Sequence, residues 1–146
     1  MERIVNDFTI NIATANGTGS QSANLILLNS LFRMGTHVSG KNLFPSNIAG
    51  LPTWYIVRVS DYGYQAPGDE THIQILMNID TWAEDVTELS PGTVVIHNTD
   101  VKAPIERDDL ILYPAPMTTA SNSIESPILP VFSHWIRTLN NCSLAV

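Results

Sequence analysis

The chain has 146 residues, of which 44% are hydrophobic, and seven Lys or Arg face fourteen Asp or Glu, giving a net charge of −7. This length suits one compact domain with a hydrophobic core. The acidic balance excludes general binding to nucleic acid or to an anionic membrane, because both repel a negative protein. Only 14% of the residues are charged, against about 25% in a typical domain, which indicates that a partner covers part of the surface.

Cys142 is the single cysteine and therefore excludes an intrachain disulfide and a Cys-x-x-Cys metal site. The sequence shows no signal-peptide pattern. No apolar run approaches the roughly 18 residues needed to span a bilayer. We therefore expect a cytoplasmic protein without a membrane partner. The four histidines lie far apart without ligand spacing, so the sequence predicts no metal site.

The first part of the chain predicts a strand, a glycine loop, a helix and a short second strand. Residues 8–14 alternate apolar and polar side chains, as a strand does. Residues 20–34 predict a helix that Ser20 caps and that Gly35 terminates. Its predicted apolar stripe consists of Ala23, Ile26, Leu27, Leu31 and Met34. A short strand is predicted over residues 36–39.

Residues 40–50 predict a loop rich in glycine, asparagine and proline. This loop also carries three large apolar side chains, those of Leu43, Phe44 and Ile48. Solvated loops seldom hold so many, so we expect the loop to pack against another surface.

Strands and a helix alternate in the rest of the interpretable sequence. The strongest strand signal covers residues 53–60, followed by a turn that is compatible with a hairpin around Gly63. Further strands are predicted over residues 73–77, 93–97 and 110–113. A helix is predicted to begin at Asp80 or Thr81 and to end at Leu89, with Thr81 and Glu84 at capping-box spacing. The alternation predicts an α/β layer fold with a largely parallel sheet. After residue 114 prolines interrupt the pattern, and residues 131–139 are the remaining candidate for a helix or buried segment.

The glycine loop consists of Asn16, Gly17, Thr18, Gly19 and Ser20. It supplies two of the three glycines of the dinucleotide fingerprint and lacks the lysine of a P-loop, so neither NAD nor ATP binding is implied. A helix that starts after such a loop presents unpaired N–H groups to an anion. A tight turn without a ligand explains the same residues.

Three segments together resemble the gamma domain of 2-oxoacid:ferredoxin oxidoreductases, in many of which it forms the N-terminal part of the alpha subunit. They are N-G-T-G-S-Q-S-A-N, then F-R-M-G, then V-S-G-K-N-L-F-P-S-N-I-A-G-L-P-T-W-Y. The resemblance covers about residues 5–98 and is most specific at residues 39–54. It implies a three-layer α/β/α gamma domain over residues 1–117. Residues 118–146 depart from the family pattern, as a divergent extension or a truncated remainder.

Such enzymes convert a 2-oxoacid, for example pyruvate or 2-oxoglutarate, to acyl-coenzyme A on thiamine diphosphate and pass electrons through iron–sulfur clusters to ferredoxin. One cysteine cannot hold such a cluster, and the chain lacks the usual diphosphate and Mg²⁺ motif of thiamine enzymes. The resemblance therefore places these cofactors in partner subunits and implies that this chain alone is noncatalytic.

The resemblance further implies that the domain helps to form the entrance for coenzyme A and substrate. Lys41 is the leading candidate to contact an anion there, with Asn42, Ser46 and Asn47 as further donors and the glycine loop as an anion-binding turn. Two alternatives stay open. The domain is a structural module that buries Leu43, Phe44, Ile48 and Trp54 against partner subunits without contacting a ligand, or the chain is a degenerate paralogue.

Overall fold

The computed structural model describes residues 6–45, 48–100 and 105–117. Six strands and two helices lie in these ranges. The strands are β1 (Asp7–Ala15), β2 (His37–Leu43), β3 (Pro52–Ser60), β4 (Ile73–Leu76), β5 (Val94–Asn98) and β6 (Ile111–Ala115), and the helices are α1 (Ser20–Arg33) and α2 (Trp82–Thr87). The predicted extension over residues 118–146, with its segment 131–139 and Cys142, lies outside the described residues, as do Ser46 and Asn47.

The strands form one sheet in the order β2-β3-β1-β4-β5-β6. Three pairings are parallel, and β3 alone runs against the other strands. The predicted α/β fold with a largely parallel sheet is confirmed. The hairpin predicted around Gly63 is wrong, because β3 pairs with β1 and β2 and has no pairing with β4. The antiparallel strands that follow each other in the chain are instead β2 and β3.

The helices cover opposite faces of the sheet, which makes three layers. On the first face, Leu27 of α1 packs with Ile10, Val57 and Ile75. On the second face, Trp82 of α2 packs with a separate cluster that includes Leu76. Burial of these apolar side chains on both faces is the main source of stability in such a fold.

Helix α1 has the predicted length, but part of its predicted buried stripe is wrong. Asn24 and Leu27 are buried, and Leu28 and Leu31 pack against the core. Ala23, Ile26 and Met34 are exposed. The helix also carries apolar residues on its outer face, so hydrophobic periodicity alone does not identify the face that contacts the sheet.

Both predicted helix caps need correction. Gly19, in a left-handed conformation, is the N-cap of α1, and no side chain caps this helix. Ser20 is already helical. Thr81 is the N-cap of α2, but its hydroxyl donates to the Asp85 carboxylate at 2.7 Å instead of receiving a bond from the backbone. The predicted capping box therefore does not form.

Strand β2 extends through residues that were predicted to lie in a loop. Gly40, Lys41 and Asn42 pair with Val57, Ile56 and Tyr55 of β3. The long apolar strand β3 offers a full-length partner, and this pairing overrides the low strand preference of glycine and asparagine. A glycine is needed here because a Cβ atom at position 40 would lie 2.8 Å from Cζ of Tyr55.

Within the described residues, neither helix has the length and apolar character needed to cross a membrane.

Candidate functional site

The carboxyl ends of five strands meet at one edge of the sheet, which we call the carboxyl edge. The glycine loop follows β1 there, residues 44–51 follow β2, and residues 77–81 follow β4. The chain leaves β1 and β4 toward opposite ends of the sheet, since β1 leads through α1 to β2 and β4 leads through α2 to β5. In open α/β sheets the crevice at such a switch point is the usual ligand site.

Two loops that lie far apart in sequence are joined at this edge by backbone hydrogen bonds. The Asn16 amide donates to the Leu51 carbonyl at 2.8 Å, and the Gly50 amide donates to the Asn16 carbonyl at 2.8 Å. The Asn16 side-chain amide also donates to the Ile48 carbonyl at 3.2 Å. The glycine loop and residues 48–51 therefore form one unit, which sequence reasoning treated as two separate motifs.

The two glycines of the loop have different structural roles. Gly17 and Gly19 both adopt positive φ, 85° and 79°. A Cβ atom at position 17 would lie 3.3 Å from Cβ of Ala49, whereas a Cβ at position 19 would meet nothing within 4 Å. Gly17 thus permits the close contact between the two loops. Gly19 leaves open space beside the first turn of α1.

The first turn of α1 has the features of an anion site. It contains no acidic residue and no side-chain cap. The first amides of a helix generally lack intrahelical acceptors, but the Ser22 amide here donates to the Gly19 carbonyl at 3.2 Å. The hydroxyls nearby are used inside the protein, since Thr18 donates to the Ala15 carbonyl at 2.8 Å and Thr14 donates to the Ser20 hydroxyl at 3.1 Å. An anion here would be held by backbone N–H groups and the helix dipole.

Lys41 and Asn42 lie in β2 and not in a loop. The side-chain Oδ1 of Asn42 accepts a hydrogen bond from the Thr53 hydroxyl at 3.2 Å, and this bond connects β2 to β3. Lys41 is exposed. Lys41 pairs with Ile56 of β3, and Ala15 of β1 pairs with Pro52, which lies four residues earlier in β3. Standard strand spacing then puts the Cα atoms of Lys41 and Ala15 about 17 Å apart. The structure does not bring Lys41 next to the glycine loop.

Apolar side chains surround the joined loops. Phe44 is 49% exposed and Ile48 is 64% exposed, and Leu43 is also exposed. Trp54, predicted to lie with them, is half-buried. Sequence reasoning missed three exposed apolar residues of the same edge, namely Leu51, Met77 and Ile79. Met77 and Ile79 fall beside the glycine loop only because β4 is the neighbour of β1, which the sequence does not reveal.

A hydrogen-bonded group ties Trp54 to helix α2. The Asp85 carboxylate, 8% exposed, accepts from the Trp54 indole at 2.7 Å and from the Thr81 hydroxyl at 2.7 Å. Burial raises the pKa of Asp85, while these two hydrogen bonds oppose the rise and Glu84 and Glu88 add to it. The spacing of Thr81 and Asp85 was the sequence signal for this contact. The group fixes β3 against α2 beneath the carboxyl edge.

The other polar residues in the described part of the chain give no catalytic arrangement. His97 lies edge-on against Trp82 at 5.8 Å, and burial lowers the pKa of its imidazole. Arg58 forms an ion pair with Asp7. No three His, Cys, Asp or Glu side chains come together as metal ligands within residues 6–45, 48–100 and 105–117.

Fold and site together define an α/β domain with a glycine turn at its switch point and exposed apolar side chains at its carboxyl edge. Residues 9–134 match the model of the pyruvate ferredoxin/flavodoxin oxidoreductase family, and the chain belongs to this family. No significant match was found among curated proteins.

Solved structures of oxidoreductases of this type have the same fold. The 2-oxoglutarate:ferredoxin oxidoreductase from Magnetococcus marinus, solved with 2-oxoglutarate, coenzyme A and succinyl-CoA bound, superposes with a TM-score of 0.73 at 24% identity. The match covers 82% of this chain and 22% of that chain. The pyruvate oxidoreductase subunit PORC from Thermotoga maritima gives a TM-score of 0.62 at 16% identity.

The gamma subunit of a keto/oxoacid ferredoxin oxidoreductase from Geobacter sulfurreducens gives a TM-score of 0.64 at 15% identity. Each of the last two matches covers 79% of this chain and 65% of the other. This chain therefore has the fold of a gamma domain, and it spans only part of the length of each protein that it resembles.

Proposed function

We propose that this chain is the gamma component of a 2-oxoacid:ferredoxin oxidoreductase and that its carboxyl edge helps to form the entrance for coenzyme A and substrate. The main support is the joined pair of loops at the switch point, where the glycine loop and the start of α1 offer N–H groups to an anion. Family membership supports the reaction class.

The proposed role is binding and orientation rather than bond chemistry. Coenzyme A carries phosphates at one end and its reactive thiol at the other, so it can contact two distant points. The glycine loop would hold a phosphate group, and Lys41, about 17 Å away by strand geometry, would attract a second phosphate or the 2-oxoacid carboxylate. Asn42 would support β2 below Lys41.

The described residues do not fit the cofactors of such enzymes, since they include no set of three metal-binding side chains and the whole chain has one cysteine. Thiamine diphosphate, Mg²⁺ and iron–sulfur clusters would therefore be held by partner subunits, and ferredoxin would be reached through the complex. The proposed entrance needs none of these groups on this chain.

The anion role of the glycine loop is tested by comparing Gly19→Asp with Gly19→Asn. Both residues tolerate positive φ better than most, and a Cβ at position 19 meets no atom within 4 Å, but only aspartate repels a phosphate. We expect Gly19→Asp to weaken coenzyme A binding to the assembled enzyme about tenfold relative to Gly19→Asn. Equal affinities, measured by calorimetry, would contradict the role.

The role of Lys41 is tested with Lys41→Ala, and Arg33→Ala is the matched control because Arg33 is an exposed cation at the other end of α1. We expect Lys41→Ala to raise the KM for coenzyme A or 2-oxoacid about tenfold with assembly intact. Unchanged kinetics across both substrate ranges would remove Lys41 from the site.

A second candidate function is that of a structural module, and the exposed Phe44 and Ile48 favour it. Here the carboxyl edge would bury its apolar side chains against a partner subunit without contacting coenzyme A. Phe44→Asp should then abolish co-purification of the partners, whereas Phe32→Asp, at a more exposed site on α1, should not. Retention of the partners by Phe44→Asp would contradict this function.

A further inference from the structure

The described residues line a cavity, open to solvent, at the edge of the sheet opposite the carboxyl edge. It has a volume of about 330 Å³ and is lined by Asp7, Arg58, Gly68, Asp69, Glu70 and His72. It lies where β1 begins and β3 ends, and the connection from β3 to β4 forms its outer wall. The proposed function makes no use of this cavity.

The charges around the cavity leave it negative. Arg58 forms an ion pair with Asp7, so these two charges compensate each other. Asp69 and Glu70 are exposed on the rim. Within the described parts of the chain they make no ion pair, since Arg107, the other paired arginine, is bound to Asp109. Two carboxylates without a counter-charge favour a cation as the occupant.

Two buried hydrogen-bonding groups next to the cavity have no partner within the described structure. Arg58 is only 9% exposed, and its Nε–H has no acceptor within the described structure. The buried Thr9 hydroxyl likewise has no partner, and it lies 3.8 Å from the position that a Cβ of Gly68 would occupy. A buried donor without an acceptor is unfavourable. The occupant that suits this cavity therefore combines a positive group with a hydrogen-bond acceptor.

Aromatic rings lie on the same connection as the acidic rim. Tyr62 and Tyr64 are both exposed, and their ring centroids are 6.0 Å apart. Tyrosine faces attract guanidinium and ammonium groups. We propose that the cavity is a docking site for a polypeptide segment of a partner protein that inserts an arginine or lysine side chain. The backbone carbonyl of that segment supplies the acceptor for Arg58, and its cation pairs with Asp69 and Glu70.

The test uses the full chain and two small probes, N-acetyl-arginine methylamide and the matching citrulline amide, which has the same shape without the charge. We expect the arginine probe to shift amide NMR signals of residues 68–72 in a saturable way. The citrulline probe should bind about tenfold more weakly, and higher salt should weaken the arginine probe alone.

Two double variants remove the same charge at different places. Asp69→Asn with Glu70→Gln should reduce affinity for the arginine probe about tenfold. Glu106→Gln with Asp108→Asn, two exposed acids outside the cavity, should leave it unchanged. Equal binding of the two probes, equal loss in both double variants, no saturable binding, or signals shifted only elsewhere would each overturn the proposal.

Discussion

Replacement of Gly40 in β2 is expected to lower the free energy of unfolding. A Cβ at this position would press on the Tyr55 hydroxyl and Cζ and lie 3.2 Å from Cδ2 of Leu28. We expect Gly40→Ala to lower the free energy of unfolding by about 1–3 kcal/mol through overpacking, measured by urea denaturation.

Gly68→Ala is the control for Gly40→Ala, because its Cβ would make only an ordinary contact at 3.8 Å and no positive φ is required there. Adding Tyr55→Phe to Gly40→Ala removes one of the clashing atoms and should restore part of the lost stability. Equal stability of the Gly40→Ala and Gly68→Ala proteins would show that Tyr55 moves aside freely.

Asp85 should give the protein a distinct dependence of stability on pH. Burial raises its pKa in the folded state above the ordinary value of 3.8. As pH rises from the ordinary pKa to the higher pKa of the folded state, the unfolded chain releases the Asp85 proton before the folded chain does. The Asp85 contribution to the free energy of unfolding therefore falls with rising pH.

The measurement for Asp85 is denaturant unfolding at several pH values from about 3.5 to 7. Relative to the parent, Asp85→Asn should become progressively more stable as pH rises through this range. This trend is expected whatever the difference in the free energy of unfolding between the two proteins at low pH. The exposed Asp108→Asn serves as the control. A constant difference between Asp85→Asn and the parent would contradict the burial effect.

At the residue scale, the sequence identified the residues that form turns, but it did not identify contacts between residues far apart in the chain. Gly17 and Gly19 were recognised as turn residues because few other residues adopt positive φ. The pairing of Arg58 with Asp7 was missed because the two residues meet only when β3 pairs with β1. Long-range pairing of this kind leaves no periodic signal in a single sequence.

At the element scale, the glycine loop offers a comparison of two substitutions. Gly17→Ala and Gly19→Ala each force alanine into positive φ, at a cost of about 1–2 kcal/mol. Only Gly17→Ala also crowds Ala49, so we expect it to lower the free energy of unfolding further. Adding Ala49→Gly should reduce the excess cost of Gly17→Ala. An equal cost for the two single variants would mean that the loops can separate without penalty.

Sequence patterns predicted the bounds of some elements, whereas the bounds of others depend on tertiary packing. Helix α1 was placed well because the glycine turn and Gly35 mark both ends. Strand β2 was cut short because Gly40 and Asn42 have low strand preference, although pairing with β3 compensates for it. Within the segment that resembled the family most strongly, residues 40–50 were predicted as a loop, yet residues 40–43 lie in β2.

At the scale of the whole molecule, the sheet predicts a gradient of local stability. All four residues of β4 are buried at the centre of the sheet, whereas most of β2 is exposed at its edge. We expect amide hydrogens of β1 and β4 to exchange only through global unfolding and the outward amides of β2 to exchange much faster. NMR-detected hydrogen exchange checks this. Comparable protection in β2 and β4 would indicate that another polypeptide covers the edge.

The order of the strands could not be derived from the sequence. The α/β class followed from alternating patterns, but the insertion of β3 between β2 and β1 depends on which buried surfaces fit together. This arrangement determines the candidate site, since it places residues 48–51 beside the glycine loop and puts Met77 and Ile79 on its other side.

The hydrogen bonds between Asn16 and residues 50 and 51 have a thermodynamic consequence. A molecule that orders the glycine loop must also order the segment that carries Ile48. In the same way, a protein that binds Ile48 must also fix the position of Asn16. Ligand affinity and subunit affinity would then be linked, each rising by the same factor when the other site is filled. Under the proposed function, coenzyme A would strengthen assembly as much as assembly strengthens its binding.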